Sequence, residues 1–157
     1  MIGYVAPSAF AITLAALGAA ASRESILIDN TTTIYDDFMM QLKISPSAIA
    51  TLSLDRACYV WFYGSVDGTI FDDPCTGADA AVTIGTYHAL KGPFVVPMAY
   101  AFGTGGGIEV SIGSVASFFG GNIPPKWGIV VENQTNAALN GTEGNFIKYV
   151  KGVFYTT

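Results

Sequence analysis

The chain has 157 residues, 51% of them hydrophobic, and only 12% are charged, about half the roughly 25% expected of a soluble domain. That length suits one domain built on one core, and a net charge of −5 with seven dispersed basic residues excludes the cationic cluster that a nucleic-acid partner requires. No apolar block reaches the roughly 20 residues of a membrane-spanning helix, so no membrane partner is expected and the apolar surplus should meet other protein, as in a subunit of an assembly.

Met1-Ile2-Gly3-Tyr4-Val5-Ala6-Pro7-Ser8 is apolar and carries no side-chain charge. Residues 1–8 read as an extended N-terminal arm ahead of a single β-sandwich domain over residues 9–157. Pro7 suits an extended approach, and Ile2, Tyr4 and Val5 could fill a partner's pockets by strand addition; the alternative is that the arm folds back over its own sandwich. Next, the stretch from Phe10 to Ala21 has the length and small-residue ending of a secretory signal core, but no Lys or Arg precedes Arg23, so it is not read as one. Its alanines favour helix over residues 9–22, while Ile12, Leu14 and Ala16 alternate as in a strand, and the strand reading is taken.

Strands are then expected over residues 25–30 and 34–44, the second closed by Ser45-Pro46-Ser47. Ala57-Cys58-Tyr59-Val60-Trp61-Phe62-Tyr63, rich in aromatic and β-branched residues, is the clearest strand, and it runs into the turn Gly64-Ser65-Val66-Asp67-Gly68-Thr69. Further strands are expected over 80–84, 93–101, 108–119, 127–132 and 146–155, separated by Gly-, Pro- and Asn-rich connections. Many short strands punctuated this way indicate an all-β sandwich or barrel.

Chemistry-bearing groups are few. The single histidine, His88, has no Cys, Asp or Glu at ligand spacing, and with two cysteines it cannot complete a nucleophile–base–orienter set. Asp36-Asp37 and Asp72-Asp73 resemble paired carboxylates, yet adjacent strand residues point to opposite faces. Asp67, Asp72 and Asp73 form a conceivable calcium loop without the full ligand pattern. The glycine run 103–107 lacks the Gly-Lys-Ser/Thr ending of a phosphate cradle and reads as a hairpin connection. Sequons at Asn30, Asn133 and Asn140 are discounted as polar turns. Trp127, entering a strand directly after Pro124-Pro125, is expected in the core. No catalytic residue, metal or cofactor is assigned, and the chain does not read as an enzyme.

Several blocks carry a resemblance: Tyr63-Gly64-Ser65-Val66-Asp67-Gly68-Thr69, Thr76-Gly77-Ala78-Asp79-Ala80-Ala81-Val82-Thr83, Gly92-Pro93-Phe94 and the stretch from Pro124 through Trp127-Gly128-Ile129-Val130-Val131 to Thr135. With Ile12-Thr13-Leu14-Ala15-Ala16-Leu17 and Ile28-Asp29-Asn30-Thr31-Thr32, and in this order, they resemble small structural proteins of tailed bacteriophages. The resemblance implies a virion component assembled in the host cytoplasm, with a jelly-roll-like antiparallel β-sandwich. Its implied role is a capsid cement or decoration protein that bridges and stabilises major capsid protein subunits. The 12% charged fraction itself predicts a homo-oligomer, and the analogy to cement proteins suggests a trimer. Ile2, Tyr4, Val5, Phe118 and Phe119 are the expected interface residues, and a reducing cytoplasm would keep Cys58 and Cys75 as thiols. Two alternatives stand beside this reading. One is a tail or baseplate subunit; the other is a carbohydrate-binding sandwich that would use Trp61, Trp127 or some of the eight tyrosines for sugar stacking.

Overall fold

In Asp37-Phe38-Met39-Met40-Gln41-Leu42-Lys43-Ile44, every second side chain is buried, and the same alternation places Cys58, Val60 and Phe62 on one side of their strand and Tyr59, Trp61 and Tyr63 on the other. Period-two burial of this kind needs a sheet with a packed face. The computed structural model, which describes residues 1–47, 56–98 and 106–156, supplies two such sheets. The strands are β1 (Ile2–Tyr4), β2 (Ser8–Ala9), β3 (Ser22–Glu24), β4 (Ile28–Asp29), β5 (Asp37–Ile44), β6 (Ala57–Ser65), β7 (Ala80–Val82), β8 (Lys91–Pro97), β9 (Ile108–Ile112), β10 (Lys126–Asn133) and β11 (Ile147–Tyr155).

The first sheet runs β1-β11-β5-β9, with β2 also pairing β11; the second runs β7-β3-β10-β6-β8, with β4 against β10. All pairs are antiparallel, and they nest: β1 and β2 with β11, β3 with β10, β5 with β9, β6 with β8. First-with-last pairing of eight principal strands, folded over into two layers, is the jelly-roll form of the β-sandwich. Between the layers lies one continuous core that includes Phe38, Leu42, Val60, Phe62, Ile129 and Val131. Trp127 is wholly buried there, its ring 5.1 Å from that of Phe38, as its place after the Pro-Pro step predicted.

Several expectations are corrected. Residues 2–4 do not stand apart from the sandwich. They form its β1, Ile2 pairing with Tyr155 and Tyr4 with Val153, while the Val5 amide donates to the Gly152 carbonyl and the N-terminal ammonium to the Thr156 carbonyl. An apolar arm has an unpaired backbone to satisfy, and β11 satisfies it within the same chain. Residues 9–22 keep strand-like alternation, with Phe10, Ile12 and Leu14 buried, but only the two ends belong to ladders, Ala9 in β2 and Ser22 in β3. Two tight turns follow, in which the Leu17 amide reaches Leu14 and the Ala21 amide reaches Gly18, with Ala16 and Ala20 in the left-handed region at φ 56° and 58°. Of residues 25–30 only Ile28–Asp29 is strand, and of 108–119 the part Ala116–Phe119 is a 3-10 helix. The strand expected over 93–101 is observed as Lys91–Pro97, and residues 99–101 and 103–105 lie outside the described residues.

Candidate functional site

Register decides which side chains share the outer face of the first sheet. Ile2 and Tyr4 on β1 lie beside Tyr155 and Val153 on β11; farther along β11, Lys151 opposes Met39 and Tyr149 opposes Gln41. Ile2, Tyr4 and Tyr155 are 52%, 53% and 63% exposed, and Met39 and Tyr149 are exposed as well. The ammonium of Lys151 sits over the Tyr4 ring, 5.0 Å from its centroid, a cation–π contact between β11 and β1. A groove of about 450 Å³ runs alongside, lined by Tyr4, Pro7, Met39, Gln41, Ser111, Tyr149 and Lys151. Toward β9 the face turns polar, with Gln41 bonded to Glu109.

The five expected interface residues are therefore not brought together. Ile2 and Tyr4 belong to this patch, and Val5 is half-buried beside it. Phe118 and Phe119 follow β9, which is three strands away across the sheet. Phe118 stacks on Phe62, centroids 4.2 Å apart, and Phe119 meets the same ring edge-on, so both are committed largely to the sandwich. Met39, Tyr149 and Tyr155 were missed by the sequence reading. Alternation within residues 34–44 and 146–155 marks them as outward, but only register joins them to the arm.

Phe119 does line a second opening, a cleft of about 610 Å³ at the end of the sandwich with Val66, Asp67, Ile70, Asp72 and Lys91. It holds two carboxylates of the conceivable calcium loop, each already engaged. Asp67 Oδ1 accepts from the Ser65 hydroxyl and the amides of Thr69 and Ile70, and the Ile70 and Thr69 bonds hold its carboxyl far below the ordinary carboxylate value. Asp72 accepts from the Gly64 amide at 2.9 Å and pairs with Lys91 at 2.7 Å. Asp36 and Asp37 bond apart, to the Tyr155 amide and to the Ala116 amide. Among the described residues no group of three or more His, Cys, Asp or Glu is arranged to hold a metal ion, and no helix is long and apolar enough to cross a membrane.

The outer face of the second sheet is built differently. Residues 66–90 fold over it and form a smaller apolar cluster around Tyr63, Leu90 and Val130, joined by Trp61, Phe71, Cys75, Val82 and Ile84. Tyr63 lies across Gly128, where any Cβ would come within 2.4 Å of the ring, and its hydroxyl donates to the Ser25 carbonyl at 2.6 Å. Glu24, 1% exposed, anchors the covering loop by accepting from the Thr76 amide and hydroxyl and the Gly77 amide. Nearby, Asp79 bonds Arg23 and both the amide and hydroxyl of Thr13. Its partial burial works against the charged form, and the bonds from Arg23 and Thr13 outweigh it, leaving the carboxyl below its ordinary value.

Both cysteines are free thiols on opposite sides of the second sheet, Cys58 in the inner core and Cys75 in the outer cluster. Burial pushes the Cys58 thiol up to about 12, with Glu132 adding to it; burial also raises Cys75, helped by Glu24. Two sequon asparagines are internal clamps. Asn133 is buried and its amide donates to the carbonyls of Leu17, Gly18 and Ala137, and Asn30 exchanges bonds with the Tyr35 backbone.

No family model, curated protein or solved structure matches the chain.

Proposed function

We propose that the protein is a structural subunit of a bacteriophage virion, a capsid cement or decoration protein that bridges and stabilises major capsid protein subunits. The observation that carries this reading is the exposed apolar face of the first sheet, where Ile2, Tyr4, Met39, Tyr149 and Tyr155 form one patch rimmed by the β1 edge. Such a contiguous patch on a chain this poor in charge is suited to lasting contact with protein. The jelly-roll arrangement and the resemblance to small phage structural proteins point the same way, although the fold also hosts lectins and does not decide a role by itself. In this role the protein performs no chemical step. It adds buried area across a joint between shell subunits.

The β1 edge contributes in a way that differs from a free arm. Its inner side is paired with β11, so strand addition by a partner would use its outer side, with Ile2 and Tyr4 presented on the face beside it. The test is to locate the protein on intact particles and measure its retention on heads. Presence on the shell, with loss of retention in a Tyr4→Glu, Tyr149→Glu double variant, is the expected result. Recovery only with isolated tails would overturn the capsid role.

A further inference from the structure

Trp61 and Trp127, paired in the sequence as sugar-stacking candidates, are separated by the fold. Trp127 is sealed between the sheets, whereas Trp61 lies half-buried on the outer face of the second sheet. We propose that Trp61 is the platform of a binding site for neutral carbohydrate, with a pyranose ring stacked on the indole and its hydroxyls met by Glu132 and Gln134.

The site is a shallow depression of about 430 Å³ lined by Arg56, Tyr59, Trp61, Pro93, Glu132 and Gln134. It sits over adjacent strands of the sheet, where Trp61 pairs with Val130 and Tyr59 with Glu132, so its floor is rigid. The indole is half-buried against the Tyr63, Leu90 and Val130 cluster and is held further by two polar neighbours. Its N–H donates to Glu132 Oε2 at 2.9 Å, and the His88 ring meets it edge-on, centroids 4.8 Å apart at 80°. Gln134 in turn donates to Glu132 Oε1 at 2.7 Å, which fixes the carboxylate. A platform already locked in place spares a ligand the entropy of ordering it.

The chemistry of this lining selects the ligand class. A pyranose offers an apolar C–H face and a hydroxyl edge, which match an aromatic face bordered by polar groups. Each oxygen of the Glu132 carboxylate has lone-pair capacity beyond its one described bond and can accept a sugar hydroxyl. That carboxylate, on a chain of net charge −5, disfavours sugar acids. On the opposite sheet Tyr4 is no equivalent platform, because the Lys151 ammonium lies over its ring. The proposed sugar site and the apolar patch are on different outer faces, so either can fail without the other.

The experiment is calorimetric titration of the intact protein with glucose, galactose, mannose, N-acetylglucosamine and their linear oligosaccharides, alongside tryptophan emission. At least one neutral sugar is expected to bind saturably, with affinity about tenfold lower in Trp61→Ala and in Glu132→Ala. Emission from the buried Trp127 reports whether each variant keeps its core; if Trp61→Ala does not, Glu132→Ala decides on the same readout. No saturable binding of any neutral sugar, or equal affinity in the folded variants, overturns the proposal. Binding confined to sugar acids overturns the ligand class.

Discussion

The two outer faces of the sandwich handle the same excess of apolar residues in opposite ways. Over the second sheet, the long connections between β6, β7 and β8 return to cover Tyr63 and Val130, and Glu24 pins the cover with three hydrogen bonds. Over the first sheet, Ile2, Tyr4, Met39, Tyr149 and Tyr155 are left exposed. One face has been made into a second small core by its own chain. The other leaves its apolar side chains exposed, so low charge in a sequence measures surplus apolar surface only after the self-covered portion has been subtracted.

Four changes would break or sharpen that contrast. The largest effect is expected inside both faces: Trp127→Ala should cost about 3–5 kcal/mol, the range for truncating a buried aromatic, and unchanged melting would contradict its core position. Next comes the self-covered face. Glu24→Ala leaves the Thr76 and Gly77 donors without their acceptor, for an expected loss of about 2–3 kcal/mol. It should also raise the rate at which Cys75 is alkylated in native protein, while Cys58 reacts only on unfolding. Equal protection of Cys75 in wild type and variant would show that Glu24 does not hold the loop.

A smaller effect should follow pH. The Asp79 carboxyl is lower in the folded protein than its ordinary value of 3.8, so its contribution is complete above that value and is lost as pH falls through the lower folded one. Denaturant midpoints measured from pH 6 downward should decline below about pH 4, and the decline should be shallower in Asp79→Asn. Parallel curves for the two proteins would remove Asp79 from the account. The smallest change in stability is expected on the uncovered face, where Tyr4→Glu and Tyr149→Glu should each shift folding by no more than about 0.5 kcal/mol. Their consequence should be in association. Light scattering is expected to show a homo-oligomer for the wild type and a monomer for the double variant, and a wild type that stays monomeric at high concentration would rule out self-association through this patch.

How much was legible in the sequence depended on where the determining contact lay. The strands at β5, β6, β10 and β11 announce themselves through local alternation and β-branched or aromatic content. β3 does not: Ser22-Arg23-Glu24 is polar, and it becomes a strand with a buried carboxylate only because β10 and the 76–77 loop close around it. The run 108–119 alternates apolar residues with Glu109 and Ser111 only as far as Ile112, and the Gly113-Ser114 step is the one local mark that separates β9 from the 3-10 helix whose phenylalanines pack on Phe62. Residues 9–22 carried a true alternation, but Glu143, far along the chain, captures the Leu14 and Ala15 amides and bends the segment away from a ladder. Of the apolar patch, Ile2 and Tyr4 were visible as an uncharged start to the chain. Their neighbours Met39, Tyr149 and Tyr155 were not, since cross-strand register at that separation is not written in any short window.

The nested pairing has a consequence for biosynthesis. Ile2 and Tyr4 leave the ribosome early, yet their ladder partners Tyr155 and Val153 are made near the end of the chain, and β5 likewise needs β11 on one side. Until then the most apolar edge of the molecule has no partner of its own, and closure across so long a loop is slow. During that interval the β11 of another copy whose own β1 has not yet docked is chemically equivalent to the strand still to be made. Crowded synthesis of many copies would therefore favour exchanged first strands, and a chaperone that shields residues 2–5 would raise the yield of correctly closed protein.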